Sequence, residues 1–302
     1  MKKLFMAVIA LMMTLSASAQ FYIYFSDGTV AKVDSISMIA PTEPEKPDTP
    51  TEPEEPTNPS AGIGVFSVGE GMTVTFSKGN LQYHPANNDW RFAENQTDYI
   101  GDANSNCSST YNGWLDLFGW STSAANFGVS TSKDNYDYSG SFVDWGINQI
   151  GNDAPNTWRT LTYGEWNYLL YIRRNSSSLK GVAQVNGVNG LILLPDNWTC
   201  PAGVTFKSGF HNNNGANYYA AYQTFTAAEW SKLESAGAVF LPAAGDRNGS
   251  DVYHVQGYGD YWSTTGYNGY GAYSLYLVSG EAYIHTKNRY YGQSVRLVKD
   301  VE

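Results

Sequence analysis

The sequence predicts an α+β domain built on a mostly antiparallel sheet, and three observations carry that prediction. From residue 61 onward, short segments of alternating apolar and polar residues recur between breaks rich in glycine, asparagine and serine. Only two segments begin as helices do, Thr162-Tyr163-Gly164-Glu165 and Thr226-Ala227-Ala228-Glu229, each followed by a tryptophan. These two stand in blocks among the strands instead of alternating with them, which argues against a parallel βαβ sheet.

The chain before that domain reads differently. Lys2 and Lys3 precede an apolar run over residues 4–15, and Ala17-Ser18-Ala19 then offers small residues for cleavage, so residues 1–19 read as a signal peptide and the protein as exported. Periplasm, outer surface and extracellular space all remain open as its destination. The apolar run is too short for a permanent membrane helix, and no later segment is apolar enough, so no stable membrane insertion is expected. Residues 20–40 read as a hairpin, with strands at 21–25 and 29–33 joined through Ser26-Asp27-Gly28, where Asp-Gly favours a tight turn. A lone hairpin of this size is not stable by itself.

Residues 41–60 carry a proline at every third position, Pro41, Pro44, Pro47, Pro50, Pro53, Pro56 and Pro59. That interval matches the three residues per turn of polyproline II, and the interleaved carboxylates resist collapse. Twenty such residues at ~3.1 Å each form a semi-rigid spacer of about 60 Å. A spacer implies a head to be held away, which is the domain over 61–302.

Within that domain, strands are expected at 64–68, 72–77, 191–194, 238–241, 272–278, 282–286 and 294–298. Both helix starts are capping boxes: the threonine oxygen accepts one orphan amide while the glutamate reaches back to another. The first helix should continue through Leu169, Leu170 and Ile172, and the second through Leu233 to a stop at Gly237. These glutamates therefore read as caps and not as catalytic acids.

Charge narrows the functional classes. The net charge of -10 falls half within 41–60, and no cluster of lysine and arginine forms the basic face that nucleic acid requires. His84, His211, His254 and His285 stand far apart in sequence, without the short spacings of zinc ligands, so neither a metal nor a cofactor is expected. No Gly-x-Ser-x-Gly elbow is present. Asp116, Asp144, Asp246 and Asp260 are the acids a glycosidase would draw on, but turn capping or pairing with arginine is the expected role of each. Cys107 and Cys200 either pair, which would contribute about 4 to 5 kcal/mol, or stand as two separate thiols.

Residues 257–298 hold nine of the chain's 23 tyrosines, interleaved with glycine, asparagine and serine. Tyrosine offers a large rigid ring and a hydroxyl at low entropic cost, and the small polar residues adapt around it, as in binding loops. Trp114, Trp120, Trp145, Trp158, Trp198 and Trp262 could stack on sugar rings, although burial suits most of them. Along 272–278, Tyr273, Leu275 and Leu277 share one face and Ser274, Tyr276 and Val278 the other. Candidate ligand-binding residues lie where alternation breaks down: Tyr267, Asn268 and Tyr270 in one loop, and His285, Asn288, Arg289, Tyr290 and Tyr291 in the next. Both loops are expected to emerge on the same side. Arg296, flanked by Val295 and Leu297, is expected to hold a buried carboxylate.

Trp158-Arg159-Thr160-Leu161-Thr162-Tyr163-Gly164-Glu165-Trp166 resembles the helix start shared by formylglycine-generating-enzyme-like domains and bacterial C-type-lectin-like modules. Gly259-Asp260-Tyr261-Trp262-Ser263-Thr264-Thr265 and Gly292-Gln293-Ser294-Val295-Arg296-Leu297-Val298 are similar to later motifs of the same group, in the same order. The resemblance covers most of 61–302 and implies a C-type-lectin-like fold with a loop-rich face near the C-terminus. Catalytic members depend on cysteines late in the fold, and none follows Cys200; calcium-binding lectins carry Glu-Pro-Asn or Gln-Pro-Asp loops, absent here. The combined reading is a non-enzymatic recognition module for a glycan or a protein ligand. The alternatives are a structural cell-surface or appendage subunit and, more remotely, a carbohydrate-active enzyme.

Overall fold

The computed structural model describes residues 21–24, 30–33, 64–210, 218–278 and 281–301. The signal peptide, the proline-rich spacer, the Ser26-Asp27-Gly28 turn and His211 lie outside those residues. Two units divide the chain, Met1–Pro56 and Thr57–Glu302. The first holds β1 (Phe21–Tyr24) and β2 (Val30–Val33), an antiparallel pair with Phe21 opposite Val33. The second begins with β3 (Phe66–Gly69), β4 (Met72–Phe76), β5 (Leu81–His84) and β6 (Asp89–Phe92). After a long stretch of turns come α1 (Tyr163–Asn167), β7 (Lys180–Val185), β8 (Val188–Leu193), α2 (Tyr218–Tyr222), β9 (Thr224–Phe225) and α3 (Ala227–Ser235). The chain closes with β10 (Val239–Pro242), β11 (Asp246–Asn248), β12 (Asp251–Tyr253), β13 (Tyr258–Tyr267), β14 (Gly271–Val278), β15 (Glu281–Asn288) and β16 (Val298–Asp300).

The sheets are small and almost wholly antiparallel, as an α+β domain requires. One has the order β10-β8-β7-β9, and its only parallel contact is the two-residue pairing of β7 with β9. A second has the order β13-β14-β15, and a third the order β16-β4-β3, so the last strand of the chain closes onto the first hairpin of the domain. Both capping boxes form as the sequence predicts: Thr162 Oγ1 accepts from the Glu165 amide and Thr226 Oγ1 from the Glu229 amide, while each glutamate takes the threonine amide in return. α1 runs on as one wide π-type turn over Tyr168–Ile172. α3 stops where Gly237, at φ +91°, donates to the Glu234 carbonyl.

Three apolar cores hold these layers together. Phe66, Val74, Leu169, Leu241, Leu275 and Leu277 gather in one, and Ile192, Leu194, Leu233 and Phe240 in another. The third is aromatic, with Trp90, Phe118, Trp120, Trp145 and Trp262 packed around Val295 and Leu297. It replaces regular sheet in the stretch between β6 and α1, where buried side chains do the ordering. Asn104 Oδ1 accepts from the Asp116 and Leu117 amides, and Gly128 sits at φ +82° so close to Gly119 that a Cβ would lie 1.9 Å from its carbonyl oxygen.

Two expectations are corrected. Residues 294–297 are not a strand: Ser294 bonds to Asp260 and Trp262 on one side, while Val295 and Leu297 accept from Leu81 and Ser77 on the other. The segment threads between two layers and all four residues are buried, so in-out alternation has no meaning there. Arg296 holds no carboxylate; its guanidinium donates to Asn80 Oδ1 at 3.2 Å, Gln96 Oε1 at 2.6 Å and the Phe240 carbonyl at 3.2 Å, and burial pushes its pKa down to about 10. Cys107 and Cys200 are unpaired thiols, one in the aromatic core and one exposed on a turn.

Candidate functional site

The sheet β13-β14-β15 organises the tyrosine-rich tail. Its register sets Asp260 opposite Tyr276 and Tyr276 opposite Tyr283, while Ser274 faces His285 across the next pair. An irregularity between Trp262 and Gly266 then shifts the pairing before the strands meet again at Tyr267 and Gly271. Beyond it the chain turns through Asn268, Gly269 and Tyr270. Asn268 adopts φ +49°, and its Oδ1 accepts the amides of Tyr270 at 2.9 Å and Gly271 at 3.1 Å, so this side chain builds the turn.

Gly271 pairs with Asn288, which brings the exit of β15 to the same end of the sheet as the turn. Arg289 fastens the two together. It is only 7 % exposed, lies over Trp120 at 4.1 Å, and donates to the carbonyls of Gly271 (3.1 Å), Asn268 (3.3 Å), Tyr138 (3.4 Å) and Gly140 (3.4 Å). Arg289 is thus a clamp behind the surface and not a group presented on it, which corrects its place among the ligand candidates.

Tyrosine rings crowd the front of this clamp. Tyr270 packs edge-on against Tyr136, with their hydroxyls 3.4 Å apart, and these rings are 49 % and 68 % exposed. Tyr267, 46 % exposed, contacts Tyr273, which in turn packs on Tyr163 with ring centres 4.4 Å apart. Tyr136 and Tyr163 come from distant parts of the chain, and no sequence signal marked them. Asn288 and Tyr290 adjoin this end, joined by an Nδ2 to hydroxyl contact of 3.2 Å.

His285 lies elsewhere, inside β15, correcting its expected place in a loop. Its ring stacks on Tyr276 at 4.2 Å, and Nε2 meets Asp260 Oδ1 at 2.8 Å. A second histidine repeats the arrangement nearby: His254 stacks on Tyr258 at 4.3 Å, and its Nδ1 meets Asp246 Oδ1 at 2.7 Å. Tyr258 touches Tyr276, so the rings are continuous. Lys287 sits 3.8 Å from Asp246 and 4.7 Å from the ring of Tyr291, which stacks on Tyr290. Burial, with Asp260 next, pushes the Tyr276 hydroxyl pKa up, so that phenol stays protonated. Asp246 and Asp260 therefore pair with histidines, where turn capping or pairing with arginine was expected; the two-residue turn Gly249-Ser250 between β11 and β12 is the sequence signal that could have brought Asp246 beside His254.

The remaining acids have structural roles. Asp144 caps a turn through the Gly146 amide and also receives Thr160, as expected of a capping residue. Asp116 is buried, accepts from Asn104 and the Ile100 amide, and burial raises its pKa to about 6. Among the described residues no group of three or more histidine, cysteine, aspartate or glutamate side chains could hold a metal ion. No helix among them is long and apolar enough to cross a membrane.

Two clefts lie away from the tyrosine turn. One, of about 900 Å³, is lined by Lys78, Arg91, Phe92, Tyr99 and Asp153, among others; a second, of about 630 Å³, shares Lys78, Phe92 and Asp153 with it and adds Trp158. Trp120, Trp145 and Trp262 are buried, whereas Trp114, Trp158 and Trp198 are half-buried. No family model, no curated protein and no solved structure matches the chain.

Proposed function

We propose that the chain is an exported, non-enzymatic recognition protein with a C-type-lectin-like head, which binds the surface of another protein through the tyrosine-bearing end of β13-β14-β15. The observation that carries this reading is the contrast between exposed rings and the fixed backbone that carries them. Tyr136, Tyr267 and Tyr270 expose 68, 46 and 49 % of their surface, while Arg289 and Asn268 hold the turn beneath them. Rigid placement of large amphipathic rings lowers the entropy lost on association, and tyrosine is enriched at such interfaces. The turn borders neither of the clefts around Lys78, which suits a macromolecular surface better than a small enclosed ligand. Support for the fold family comes from the two capping boxes and from the antiparallel β13-β15 sheet that follows them in the expected order.

The full-length chain, screened against an array of purified extracellular proteins, should yield a partner. Binding to it should weaken about tenfold or more in the double variant Tyr267→Ala/Tyr270→Ala, with no change in unfolding midpoint. Unchanged binding in the variant, or an array with no partner, counts against the reading. A stable oligomer that buries these rings would instead favour a structural subunit.

A further inference from the structure

We propose that the paired clefts around Lys78, Phe92 and Asp153 form one groove that binds an uncharged oligosaccharide, independently of the tyrosine surface. The two cavities, of about 900 and 630 Å³, share these three residues, so they adjoin at a common waist. Each lies within the roughly 300–1,000 Å³ of small-molecule sites, and together they hold more than one sugar ring.

Two of the charged groups in this groove, Arg91 and Asp153, are positioned by neutral partners. Arg91 donates from Nε to Gln82 Oε1 at 2.9 Å and lies 3.7 Å above the ring of Trp114. Asp153 Oδ2 accepts the indole N–H of Trp158 at 2.9 Å. Lys78 is exposed, and among the described residues none of the three forms an ion pair. Arg91 and Asp153 are held in place, and none of the three charges is neutralised by an ion-pair partner among the described residues, which leaves them available for charge-assisted hydrogen bonds to a ligand.

Both signs meet in the groove, and this selects the ligand. Glu94, Asp98 and Asp153 would repel an anion, while Lys78 and Arg91 would repel a cation. A sugar hydroxyl both donates and accepts, so it can satisfy Asp153 and Lys78 at once. Phe92 and Trp158, edge to face at 5.0 Å, supply apolar surface for the C–H face of the ring. A neutral polyhydroxylated chain meets both signs and the aromatic edge without a net charge of its own.

Calorimetry of the full-length protein with cello-, xylo-, malto- and chito-tetraoses tests the proposal. At least one should bind with Kd at or below about 1 mM. Lys78→Ala and Trp158→Phe should each weaken that sugar about tenfold, while Tyr267→Ala/Tyr270→Ala should leave it unchanged. Lys78 makes no side-chain hydrogen bond or ion pair among the described residues, so its replacement does not endanger folding. Absence of binding by all four sugars, or a hit insensitive to both groove variants, overturns the proposal. Loss in the tyrosine variant alone would move the sugar to the other surface and overturns it equally.

Discussion

Replacing Arg289 by methionine keeps most of the buried volume and removes the fork that joins the turn at Asn268 to the exit of β15. Four carbonyls lose a charged donor, two at 3.1 and 3.3 Å and two at 3.4 Å, and Trp120 loses its cation. Bonds from a charged donor contribute about 1.5–3 kcal/mol each, less when long. Relief of the buried guanidinium's desolvation offsets part of that loss. The net expectation is a destabilisation of about 3 kcal/mol, or a fall in Tm of roughly 6 to 12 °C for a domain of this size. Native-state hydrogen exchange should show where it falls. The amides of Tyr270 and Gly271, held by Asn268, and of Arg289, held by the Tyr270 carbonyl, should exchange faster than the global change accounts for. Arg289→Lys should rescue little, because a point charge cannot reach four acceptors spread over two segments. A loss below about 1 kcal/mol, or acceleration spread evenly over the domain, would refute the clamp.

Asp116 predicts a pH dependence. Its folded pKa of about 6 lies above the ordinary 3.8, so its stabilising contribution is complete below 3.8 and disappears as pH rises through about 6. At 1.36 kcal/mol per unit the whole shift amounts to about 3 kcal/mol, of which about 1.3 kcal/mol falls between pH 7 and 5, and wild type should gain roughly that much stability relative to Asp116→Asn over this interval. Equal slopes in chemical denaturation would contradict it. The thiols give a simpler check: native protein should show Cys200 reactive toward a thiol reagent and Cys107 protected until unfolding, with Tm indifferent to reductant. Thr226→Ala, which removes the α3 cap, should cost about 1 kcal/mol in urea denaturation.

What the sequence disclosed follows from how local each feature is. Thr162 and Thr226 announced their helices because a capping box needs only four neighbouring residues. Leu275 and Leu277 were placed on one face by parity, and both lie in the main core. Residues 294–297 misled because Ser294 bonds to one layer and Val295 and Leu297 to another, a long-range fact that imitates a strand locally. The site was half legible. Tyr267 and Tyr270 were found from composition, but Tyr136 and Tyr163 reach the same end only through folding. Arg289 was recognised as special and misread, since nothing in its neighbours showed that four carbonyls would converge on it. His285 was placed in a loop because β15 continues to Asn288, past the last apolar residue of the strand.

Hydroxyl-radical footprinting of the full-length protein, with and without its partner, tests the recognition surface most directly. Oxidation of Tyr136, Tyr267 and Tyr270 should fall together on binding, with the rings of His254 and Tyr283 unaffected. Unchanged oxidation of those three tyrosines, with protection appearing at the Lys78 groove or the histidine-bearing face, would contradict the account.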